Sequence, residues 1–384
     1  MIDIQPSTQN KILRVGITGQ SGFMGTHLFN WLGLFPGKYS LQPFRDEYFK
    51  SAETLREWVS NCDAIIHLAA LNRHGNPQII YDTNIALVRD LIIAMEAEEV
   101  TPHVIFSSST QEEQMNLYGK SKKEGRELLR DWAERQGGKF TGMVIPNVFG
   151  PFGNPYYNSV IATFCYQITH REKPCINSDA AVKLIYIGEL AEEVMNILDM
   201  EVNAAYYPVK HTSEKSISEI FNILTGFKEQ YFDQGIIPAF RNNFELQLFN
   251  TFCCYIDIKN YFPVKLRLNT DERGIFTEII RTDIGGQTSF STTKPGITRG
   301  NHFHTRKIER FAVVRGKACI RLRRLGTDEV ISFELSGDAP AYVDIPIWYT
   351  HNISNTGNED LYTIFWISEK FDPSDPDTYF TLIK

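Results

Sequence analysis

Short apolar runs alternate with stretches of helical periodicity in the first part of the chain. A continuous apolar run of strand length is typical of a parallel strand that is buried on both faces. The alternation of such runs with helices predicts a doubly wound parallel sheet of the Rossmann type. The predicted strands cover 12–18, 39–44, 64–70, 104–106 and 140–145, and the predicted helices cover 23–31, 84–95 and 118–136.

The pattern changes near Asn243, where it becomes irregular, and the Phe262-Pro263 pair is typical of a domain boundary. Beyond it lie short strand-like segments rich in Val, Ile, Phe, Tyr and Trp, separated by turns of Gly, Asn, Asp and Pro. That spacing predicts a small antiparallel barrel or jelly roll. We therefore expect an α/β domain over 1–245, a linker over 246–262 and an all-β domain over 263–384.

Composition narrows the class of protein. The chain has 384 residues, which suits two domains, and its net charge of −7 with no basic run argues against a nucleic-acid partner. The six cysteines form no pair of CxxC spacings, so neither a disulfide framework nor a thiolate zinc site is indicated. The N-terminus is polar, and no apolar run is long enough to span a bilayer. We expect a cytoplasmic protein with no membrane partner.

A glycine-rich turn lies between the first predicted strand and the first predicted helix. Glycines at such a turn let the backbone approach a pyrophosphate, and the helix N-terminus adds free N–H groups. The spacing is GxxGxxG rather than the more general GxGxxG. The turn predicts a dinucleotide site with contacts from Gly19, Gly22, Phe23, Met24 and Gly25.

The second predicted strand runs into Arg45, and Asp46 and Glu47 follow. An acidic residue at this place usually binds the ribose hydroxyls of NAD, whereas an arginine pairs with the 2′-phosphate of NADP. We therefore expect NADPH, bound through Arg45. The alternative is that Arg45 is a solvated surface charge and that Asp46 binds the ribose.

Tyr118 and Lys122 are four residues apart, so on a helix they share one face. A lysine ammonium near a phenol favours the phenolate and lowers its pKa, which suits proton transfer to an oxyanion formed by hydride attack on a carbonyl. A serine from the preceding triplet, 107–109, can hold the same oxygen. The alternative is an amphipathic helix start with a surface tyrosine.

These motifs occur in the order seen in the extended short-chain dehydrogenase/reductases, which the first 250 or so residues resemble. The resemblance implies Ser109, Tyr118 and Lys122 as the catalytic set and Asn147 as a substrate contact. It also implies cofactor contacts from Asp63, Leu68 and Ala69, and from Tyr118 and Lys122 in addition to their catalytic roles. One position departs from the family, because Val144 stands where an arginine is common. The matching positions are Gly19, Gly22, Gly25, Asp63, Ala69, Ala70, Asn84, 107–109, Tyr118, Lys122 and 147–151.

A second group of candidate functional residues lies in the predicted β domain. His302 and His304 are two apart, so on a strand they face the same side. Glu309 follows on the same or the next strand, and His351 comes after a further turn. Three imidazoles and a carboxylate suit a divalent metal. The alternative is a polar pocket in the barrel that binds sugar without metal.

The same region resembles the cupins. Gly296, His302, His304, Glu309 and Gly316 match the first cupin motif. The second motif is partial, since Trp348 replaces its usual glycine.

The segment 271–278 resembles the opening motif of the sugar-nucleotide 3,5-epimerases, and Arg299-Gly300 fits that family as well. The resemblance implies Arg273, Arg299 and Tyr349 as substrate contacts. In those metal-free enzymes the histidine at position 302 is a base. In this chain His302 is also the first cupin ligand, so Tyr349 is an alternative base.

A dehydrogenase followed by a cupin resembles, over nearly the whole chain, the bifunctional capsular-polysaccharide enzymes of the UDP-N-acetyl-L-fucosamine pathway. The resemblance implies a homodimer whose cupin binds zinc and which acts on a UDP-2-acetamido-2,6-dideoxy-4-hexulose. The cupin would epimerise C3, and the reductase would reduce the C4 ketone with NADPH to a UDP-2-acetamido-2,6-dideoxy-L-talose. The alternatives are a reductase whose cupin only binds sugar or joins subunits, and a non-catalytic sugar-nucleotide sensor.

Overall fold

The computed structural model describes residues 12–383, and the polar stretch before Ile12 lies outside the described residues. Within this part of the chain, no helix is both long and apolar enough to cross a membrane. The α-helices are α1 (Phe23–Gly33), α2 (Ala52–Ser60), α3 (Pro77–Ala97), α4 (Leu117–Gln136), α5 (Val160–Thr169), α6 (Ile187–Asp199), α7 (Ile217–Lys228), α8 (Asn243–Cys253) and α9 (Ile258–Tyr261).

The strands of the α/β part are β1 (Leu13–Thr18), β2 (Tyr39–Gln42), β3 (Ala64–His67), β4 (His103–Ser109), β5 (Phe140–Ile145), β6 (Asn147–Phe149), β7 (Ala181–Tyr186), β8 (Ala204–Pro208) and β9 (Ser213–Ser216). The remaining strands are β10 (Ile236–Ile237), β11 (Val264–Lys265), β12 (Asn269–Asp271), β13 (Gly274–Phe276), β14 (Arg281–Thr282), β15 (Gln287–Thr293), β16 (Thr298–Phe303), β17 (Glu309–Arg315), β18 (Lys317–Arg324), β19 (Val330–Ser336), β20 (Ala341–Ile345), β21 (Tyr349–Asn355), β22 (Leu361–Ile367) and β23 (Tyr379–Phe380).

The first compact unit contains residues 12–149, Tyr156–Ser159 and Ala181–Lys215. Its six-stranded sheet is parallel throughout, in the order β2-β1-β3-β4-β5-β8, which confirms the predicted fold class. The apolar strands β3 and β4 are buried almost completely, as expected for central parallel strands. Because the strands are parallel, their carboxyl ends meet at one edge, and the loops that carry the predicted reductase residues start there.

The second compact unit contains Gly150–Pro155, Val160–Ala180 and residues 216–383. Its β part consists of two five-stranded antiparallel sheets, in the orders β11-β20-β17-β22-β15 and β19-β18-β21-β16-β23. The predicted all-β jelly-roll architecture of the C-terminal region is confirmed. The chain passes between the two units several times between Phe149 and Ser216 before it enters the barrel.

Residues 246–262 differ from the predicted linker, because they form most of α8 and all of α9 and are largely buried. Phe249 and Phe252 in α8 are almost completely buried in an aromatic cluster with Phe227. A segment with this much buried apolar surface packs as part of a core, and the sequence pattern did not reveal its partners.

A buried ion pair joins the helical part of the second unit to its barrel. Arg310 in β17 donates to both carboxylate oxygens of Asp344 in β20, at 2.7 and 2.8 Å. The hydroxyl of Tyr231, in a short π-helical segment after α7, donates to the same carboxylate at 2.5 Å. Arg310 follows Glu309 in sequence, so the pair fixes β17 next to a predicted metal ligand.

Candidate functional site

The turn between β1 and α1 is built around its glycines. Gly19 has φ +66°, a left-handed conformation that glycine adopts without strain. A Cβ on Gly25 would lie 2.2 Å from the carbonyl oxygen of Gly19, so glycine is needed for α1 to start this close to the turn. Gly22 precedes α1, and Phe23 and Met24 open it. The turn thus presents a helix start at the carboxyl end of β1, the usual place for a pyrophosphate.

Two side chains of the turn bind the chain that follows β2. The Oε1 atom of Gln20 accepts a hydrogen bond from the backbone N–H of Phe44 at 2.8 Å. The hydroxyl of Ser21 donates to the carboxylate of Asp46 at 3.0 Å. Arg45, which is exposed, lies between these two anchored residues. Sequence reasoning missed Gln20 and Ser21, although polar side chains inside a glycine turn are a usable signal.

Asp63 lies at the wrong end of its strand for cofactor binding. It precedes β3, whereas the glycine turn follows the carboxyl end of the neighbouring β1. Its carboxylate accepts hydrogen bonds from the backbone N–H and the guanidinium of Arg14, at 2.9 to 3.1 Å. The prediction that Asp63 lies near an adenine is therefore wrong, because dinucleotides bind at the carboxyl ends of parallel strands.

The segment after β3 lies against the glycine turn. The backbone N–H groups of Leu68 and Ala69 donate to the carbonyl and the hydroxyl of Thr18, at 3.3 and 3.2 Å. A Cβ on Gly19 would lie 2.9 Å from the backbone nitrogen of Ala69. Leu68 and Ala69 are therefore at the same edge of the sheet as the glycine turn. Their predicted contacts with a cofactor require this position.

Asn84 connects this segment to the start of α4. Its amide exchanges hydrogen bonds with both backbone groups of Leu71, at 2.7 and 3.2 Å, and donates to the hydroxyl of Ser121 at 3.0 Å. Ser121 directly precedes Lys122. The buried Asn84 side chain therefore aligns the cofactor edge of the sheet with the helix that carries Tyr118 and Lys122.

Tyr118 and Lys122 share one face of α4, as their spacing predicted. The Nζ atom of Lys122 lies 5.8 Å from the centre of the Tyr118 ring and donates to the carbonyl of Ser107 at 2.9 Å. Burial lowers the pKa of Lys122 to about 8. Burial, with a smaller contribution from Tyr157, raises the pKa of Tyr118 to about 12.

The direction of the Tyr118 shift contradicts the sequence expectation, which had the ammonium of Lys122 lowering that pKa. Loss of hydration disfavours the phenolate, and burial is the largest cause of the shift. Tyr118 therefore keeps its proton at neutral pH. A neutral phenol is the form that can donate a proton to an oxyanion.

The three serines at the end of β4 have different surroundings. The hydroxyl of Ser107 donates to the carbonyl of His67 at 3.2 Å, and that of Ser108 donates to Glu112. Both are buried, whereas Ser109 is partly exposed and accepts a hydrogen bond from the N–H of Gln111 at 3.2 Å. Ser109 is therefore the member of the triplet best placed to donate its proton to a ligand.

A buried ion pair, missed by sequence reasoning, supports the turn after Ser109. Arg126 in α4 binds both carboxylate oxygens of Glu112, at 2.8 and 2.9 Å, and donates to the carbonyl of Ala205 at 3.1 Å. A Cβ on Gly142 would lie 2.6 Å from the Arg126 side chain, so a glycine at this position leaves the space that the arginine side chain occupies. Residue spacing gave no signal for the pair, because its members meet only through the fold.

The predicted substrate contact Asn147 is exposed in β6, and its amide donates to the carbonyl of Lys183 at 3.2 Å. Val144, at the position where the resembled family often has arginine, is buried in β5. Arg73, which follows β3, donates to the carbonyls of Tyr156 and Tyr157, at 3.0 Å each. Arg73 therefore holds the short loop that places Tyr157 near Tyr118.

The second unit brings together all four predicted metal ligands. The candidate ligand atoms of His302, His304, Glu309 and His351 lie within 4.8 Å of one another. The Nε2 atoms of His351, His304 and His302 lie 2.8, 3.3 and 3.9 Å, respectively, from the Oε2 atom of Glu309. Apart from His302, which is partly exposed, the residues of this cluster are buried.

Backbone carbonyls orient two of the rings. The Nδ1 atom of His304 donates to the carbonyl of Asp377, and that of His351 donates to the carbonyl of Tyr349 at 3.3 Å. A carbonyl only accepts, so Nδ1 carries a proton and Nε2 of each neutral ring has a free lone pair. These Nε2 atoms and Oε2 of Glu309 are buried with no hydrogen-bond partner among the described residues. Acceptor atoms that converge without a donor fit a bound cation.

The residues of the cluster shift one another's pKa values. Burial alone would lower the pKa of His304, but its hydrogen bond to Glu309 and the charge of that carboxylate raise it. Burial alone would raise the pKa of Glu309, but the neighbouring His304 and His351 hold it well below its usual range. Burial and His351 lower the pKa of His302 to about 4. Neutral imidazoles and a carboxylate are the forms that bind divalent metals, and three nitrogens with one oxygen suit zinc.

A β-bulge at Asn301 shapes the cavity beside this cluster. Gly300 pairs with Asn352 and His302 pairs with His351, which leaves Asn301 unpaired in β16, at φ +61°. Arg299 and His302 are three positions apart and would face opposite sides of a regular strand. Because the bulge absorbs one residue, both side chains line the same cavity.

This cavity has a volume of about 430 Å³ and lies between the two sheets of the barrel. One wall is aromatic, with the rings of Phe311 and Phe365 stacked 5.3 Å apart. The other residues that line it include the cluster and several polar groups. The lining residues are Phe290, Ser291, Arg299, Gly300, His302, Glu309, Phe311, Ile320, His351, Asn352, Ile353 and Phe365.

Two predicted substrate contacts are not in this cavity. Tyr349 is absent from its lining, and its ring lies 6.1 Å from that of Phe152. Arg273 is exposed in the β12–β13 hairpin, where Asp271 holds its guanidinium at 2.6 Å. Neither side chain therefore lines this cavity, and the roles of Tyr349 and Arg273 as substrate contacts stay predictions.

Trp348 occupies the place of the usual cupin glycine without changing the turn. It has φ +63°, the left-handed conformation for which glycine is preferred. Its ring is buried and stacks on Phe303, with 5.7 Å between ring centres. Packing of the ring in the core is a reason for a tryptophan to occupy this strained position.

Comparisons with known proteins cover both units. Residues 44–209 match the NAD dependent epimerase/dehydratase family, and residues 269–379 match the polysaccharide biosynthesis C-terminal domain. RMD from Pseudomonas aeruginosa, solved in complex with NADPH, is 20% identical over 58% of this chain and 83% of its own, with a TM-score of 0.52. At that identity the likeness shows only the fold of the first unit.

Two relatives span both units. A UDP-2-acetamido-2,6-beta-L-arabino-hexul-4-ose reductase of Pseudomonas aeruginosa is 32% identical over 96% of this chain and 98% of its own. The capsular polysaccharide assembling protein CapF from Staphylococcus aureus is 36% identical over 96% of this chain and 99% of its own, with a TM-score of 0.61. The chain therefore belongs to the family of two-domain capsular-polysaccharide enzymes that includes this reductase and CapF.

Proposed function

We propose that the chain is an NADPH-dependent reductase of a UDP-linked 4-keto-6-deoxy-HexNAc sugar. The observation that carries the proposal is the pair Tyr118 and Lys122 on one face of α4, with Lys122 hydrogen-bonded to the carboxyl end of β4, the strand that ends at Ser109. The similarity to a UDP-hexulose reductase over nearly the whole chain supports the substrate class.

Each residue of the set has a distinct role in this proposal. Tyr118 donates its proton to the oxygen at C4, and the partly exposed Ser109 holds the same oxygen. The ammonium of Lys122 stabilises negative charge that develops on the phenol oxygen. NADPH, when bound along the glycine turn, supplies the hydride.

We further propose that the cavity of the second unit epimerises the sugar at C3. The ketone at C4 acidifies the C3–H bond, because it stabilises the enolate left when the proton is removed. His302, His304, Glu309 and His351 would hold zinc. A zinc ion there supplies positive charge next to the cavity, and Arg299 offers a second positive charge to the substrate.

The chemistry sets the order of the two reactions. Epimerisation needs the ketone, so it comes before reduction, and on its own it gives an equilibrium mixture. Reduction then removes the ketone and fixes the C3 configuration, which gives the UDP-2-acetamido-2,6-dideoxy-L-talose that we propose as the product. We assign this reaction to capsule or O-antigen synthesis in the cytoplasm by a homodimer.

A second candidate function deserves a test because of what lines the cavity. Apart from the predicted metal ligands His302, Glu309 and His351, its lining residues include no side chain that could accept the C3 proton as a base. A reductase whose barrel only binds the sugar fits that observation. A non-catalytic sensor fits less well, because Tyr118 and Lys122 lie close together on α4.

Incubation with a UDP-4-keto-6-deoxy-HexNAc in deuterated water, followed by NMR, separates these functions. The proposal predicts deuterium at C3 without NADPH, and a 4-hydroxy product labelled at C3 when NADPH is added. Reduction without label at C3 would favour the sugar-binding barrel, and no reaction at all would favour the sensor.

Arg45 provides a test of cofactor preference. If its guanidinium pairs with a 2′-phosphate, Arg45→Ala should raise the KM for NADPH at least about tenfold, since charge-assisted hydrogen bonds contribute about 1.5–3 kcal/mol, while the KM for NADH changes little. Steady-state rates with the two cofactors give the comparison. Equal increases in both KM values would exclude Arg45 as the discriminating residue, and Asp46→Ala would be tested next.

Lys122 should impose an alkaline limit on reduction. Its pKa is lowered to about 8, so the ammonium is present below that pH and is lost as the pH rises through it. The kcat/KM for ketone reduction reports groups of the free enzyme and should fall above pH 8. Lys122→Arg keeps its charge at every pH tested and should lose this decline, even if its overall rate is lower. An unchanged decline in the arginine variant would assign it to another group.

A further inference from the structure

The segment that contains β23 lies along β16 next to the metal ligands. Backbone pairing joins His302 to Phe380 and Phe303 to Tyr379. The N–H of Thr381 donates to the carbonyl of Asn301, the bulge residue, at 2.8 Å. This segment, 377–383, is therefore attached to the strand that carries His302 and leads to His304.

Asp377 begins the segment and contacts His304 through its main chain. Its carbonyl accepts the hydrogen bond from Nδ1 of His304. Since the carbonyl has no proton to give, this contact keeps the proton of the His304 ring on Nδ1 and points Nε2 at Glu309, 3.3 Å away. The contact thus selects the tautomer that a metal at the cluster requires.

The carboxylate of Asp377 binds the turn that follows His304. One oxygen accepts from the N–H and the hydroxyl of Thr305, at 3.0 and 2.6 Å. The other accepts from the N–H groups of Arg306 and Lys307, at 3.0 and 3.2 Å. Asp377 is 2% exposed, so these four hydrogen bonds replace the hydration of a buried carboxylate.

The backbone of Asp377 adopts a conformation that is uncommon outside glycine, although Asp and Asn adopt it more often than other side chains do. Its φ of +42° lies in the left-handed region, which residues other than glycine rarely adopt. In this conformation Asp377 directs its carbonyl to the His304 ring and its carboxylate to residues 305–307, which follow His304. Such strain persists only where surrounding contacts hold it, and it is common at functional sites.

We propose that Asp377 is a positioning residue for the metal centre. Its carboxylate locks the 305–307 turn, and its carbonyl fixes the orientation and tautomer of His304. The inference rests on the proposed function, in which this cluster holds a metal. Nothing in the spacing of the ligands pointed to Asp377, which lies 73 residues beyond His304 in the sequence.

The test measures binding of Co²⁺ to the full chain, with a competing chelator for affinity and the visible absorption bands for ligand geometry. Asp377→Asn tolerates the left-handed backbone but sets an amide N–H₂ against the N–H groups of Arg306 and Lys307. We expect it to bind Co²⁺ about 10- to 100-fold more weakly and with shifted bands. Asp375→Asn is the matched control. The Asp375 carboxylate binds the guanidinium of Arg306, whereas the backbone N–H groups of residues 305–307 donate to Asp377. This variant should stay within about twofold of wild type.

Thr305→Val provides a second test should Asp377→Asn fail to fold. It removes one donor to the Asp377 carboxylate and preserves side-chain volume, so we expect a smaller loss of Co²⁺ affinity, about threefold or more. Wild-type affinity and bands in the folded variants would overturn the role of Asp377 while leaving the metal centre intact. Failure of the wild-type chain to bind Co²⁺ would instead overturn the metal centre itself.

Discussion

Replacement of Tyr118 by phenylalanine is expected to slow ketone reduction by about a hundredfold or more. The substitution removes the proton that the oxygen at C4 receives as hydride arrives, and general acid residues typically contribute factors of about 10²–10⁴. The phenol is neutral in the free chain, because burial raises its pKa to about 12, so the wild-type donor is in the required form. The measurement is NADPH oxidation at saturating ketone.

Cofactor binding separates a chemical defect from a structural one. The glycine turn contains no atom of Tyr118, so the affinity for NADPH, followed by its fluorescence, should change little. Tyr81→Phe is a suitable control, since the Tyr81 hydroxyl is bound to Glu124. That variant should reduce the ketone at close to the wild-type rate. Near-normal reduction by Tyr118→Phe would exclude Tyr118 as the proton donor.

The second large effect is expected when a ligand of the cluster is removed. His304→Ala deletes one of three imidazoles around the Glu309 carboxylate, and zinc is poorly held by the remaining groups. We expect bound metal and deuterium exchange at C3 to be lost together. Reduction of a ketone supplied with C3 already inverted should continue. Metal content by mass spectrometry and deuterium content by NMR give the two readings.

A histidine outside the cluster gives the matched control. His170 is exposed in the same unit and stacks on Tyr166, with 3.9 Å between ring centres. His170→Ala should retain both metal and exchange. If His304→Ala loses its metal and still exchanges C3 at the wild-type rate, the metal has no catalytic role. A fall in melting temperature would then assign the metal to stability, since metal binding is coupled to folding.

Local sequence pattern was a good guide where function depends on residues close together in the chain. The glycine turn, the pair Tyr118 and Lys122, and the pair His302 and His304 are each contained within one element and its neighbour. Their spacing follows from the helix and strand repeats, so it could be read without a structure. The four metal ligands were found because Glu309 and His351, which follow in the same predicted β domain, were grouped with this pair.

Sequence reasoning failed where the outcome depends on which end or face of an element a residue occupies. Asp63 is next to an apolar strand, but only the parallel register shows that it lies at the amino end. Tyr349 is two residues from His351 and nevertheless lies outside the cavity. The pKa of Tyr118 depends on burial that no spacing reports.

Contacts distant in sequence were missed for the same reason. Arg126 with Glu112, and Asp377 with His304, meet only after the chain has folded. Residues 246–262 contain the aromatic pattern of a packed helix, but the surface that buries them is assembled from other segments. A sequence pattern shows that a residue can be buried and does not identify its partner.

The repeated passage of the chain between its two units has a consequence for inheritance. A genetic crossover between positions 180 and 216 would separate 150–155 and 160–180 of the second unit, which include α5, from its other helices and its barrel. A cut at residue 246 would remove Tyr231, whose hydroxyl binds the Asp344 carboxylate inside that barrel. Recombination therefore cannot exchange the β part for another without replacing residues scattered through the preceding gene segment. The two units are expected to descend as one heritable block, and their substitutions to accumulate jointly.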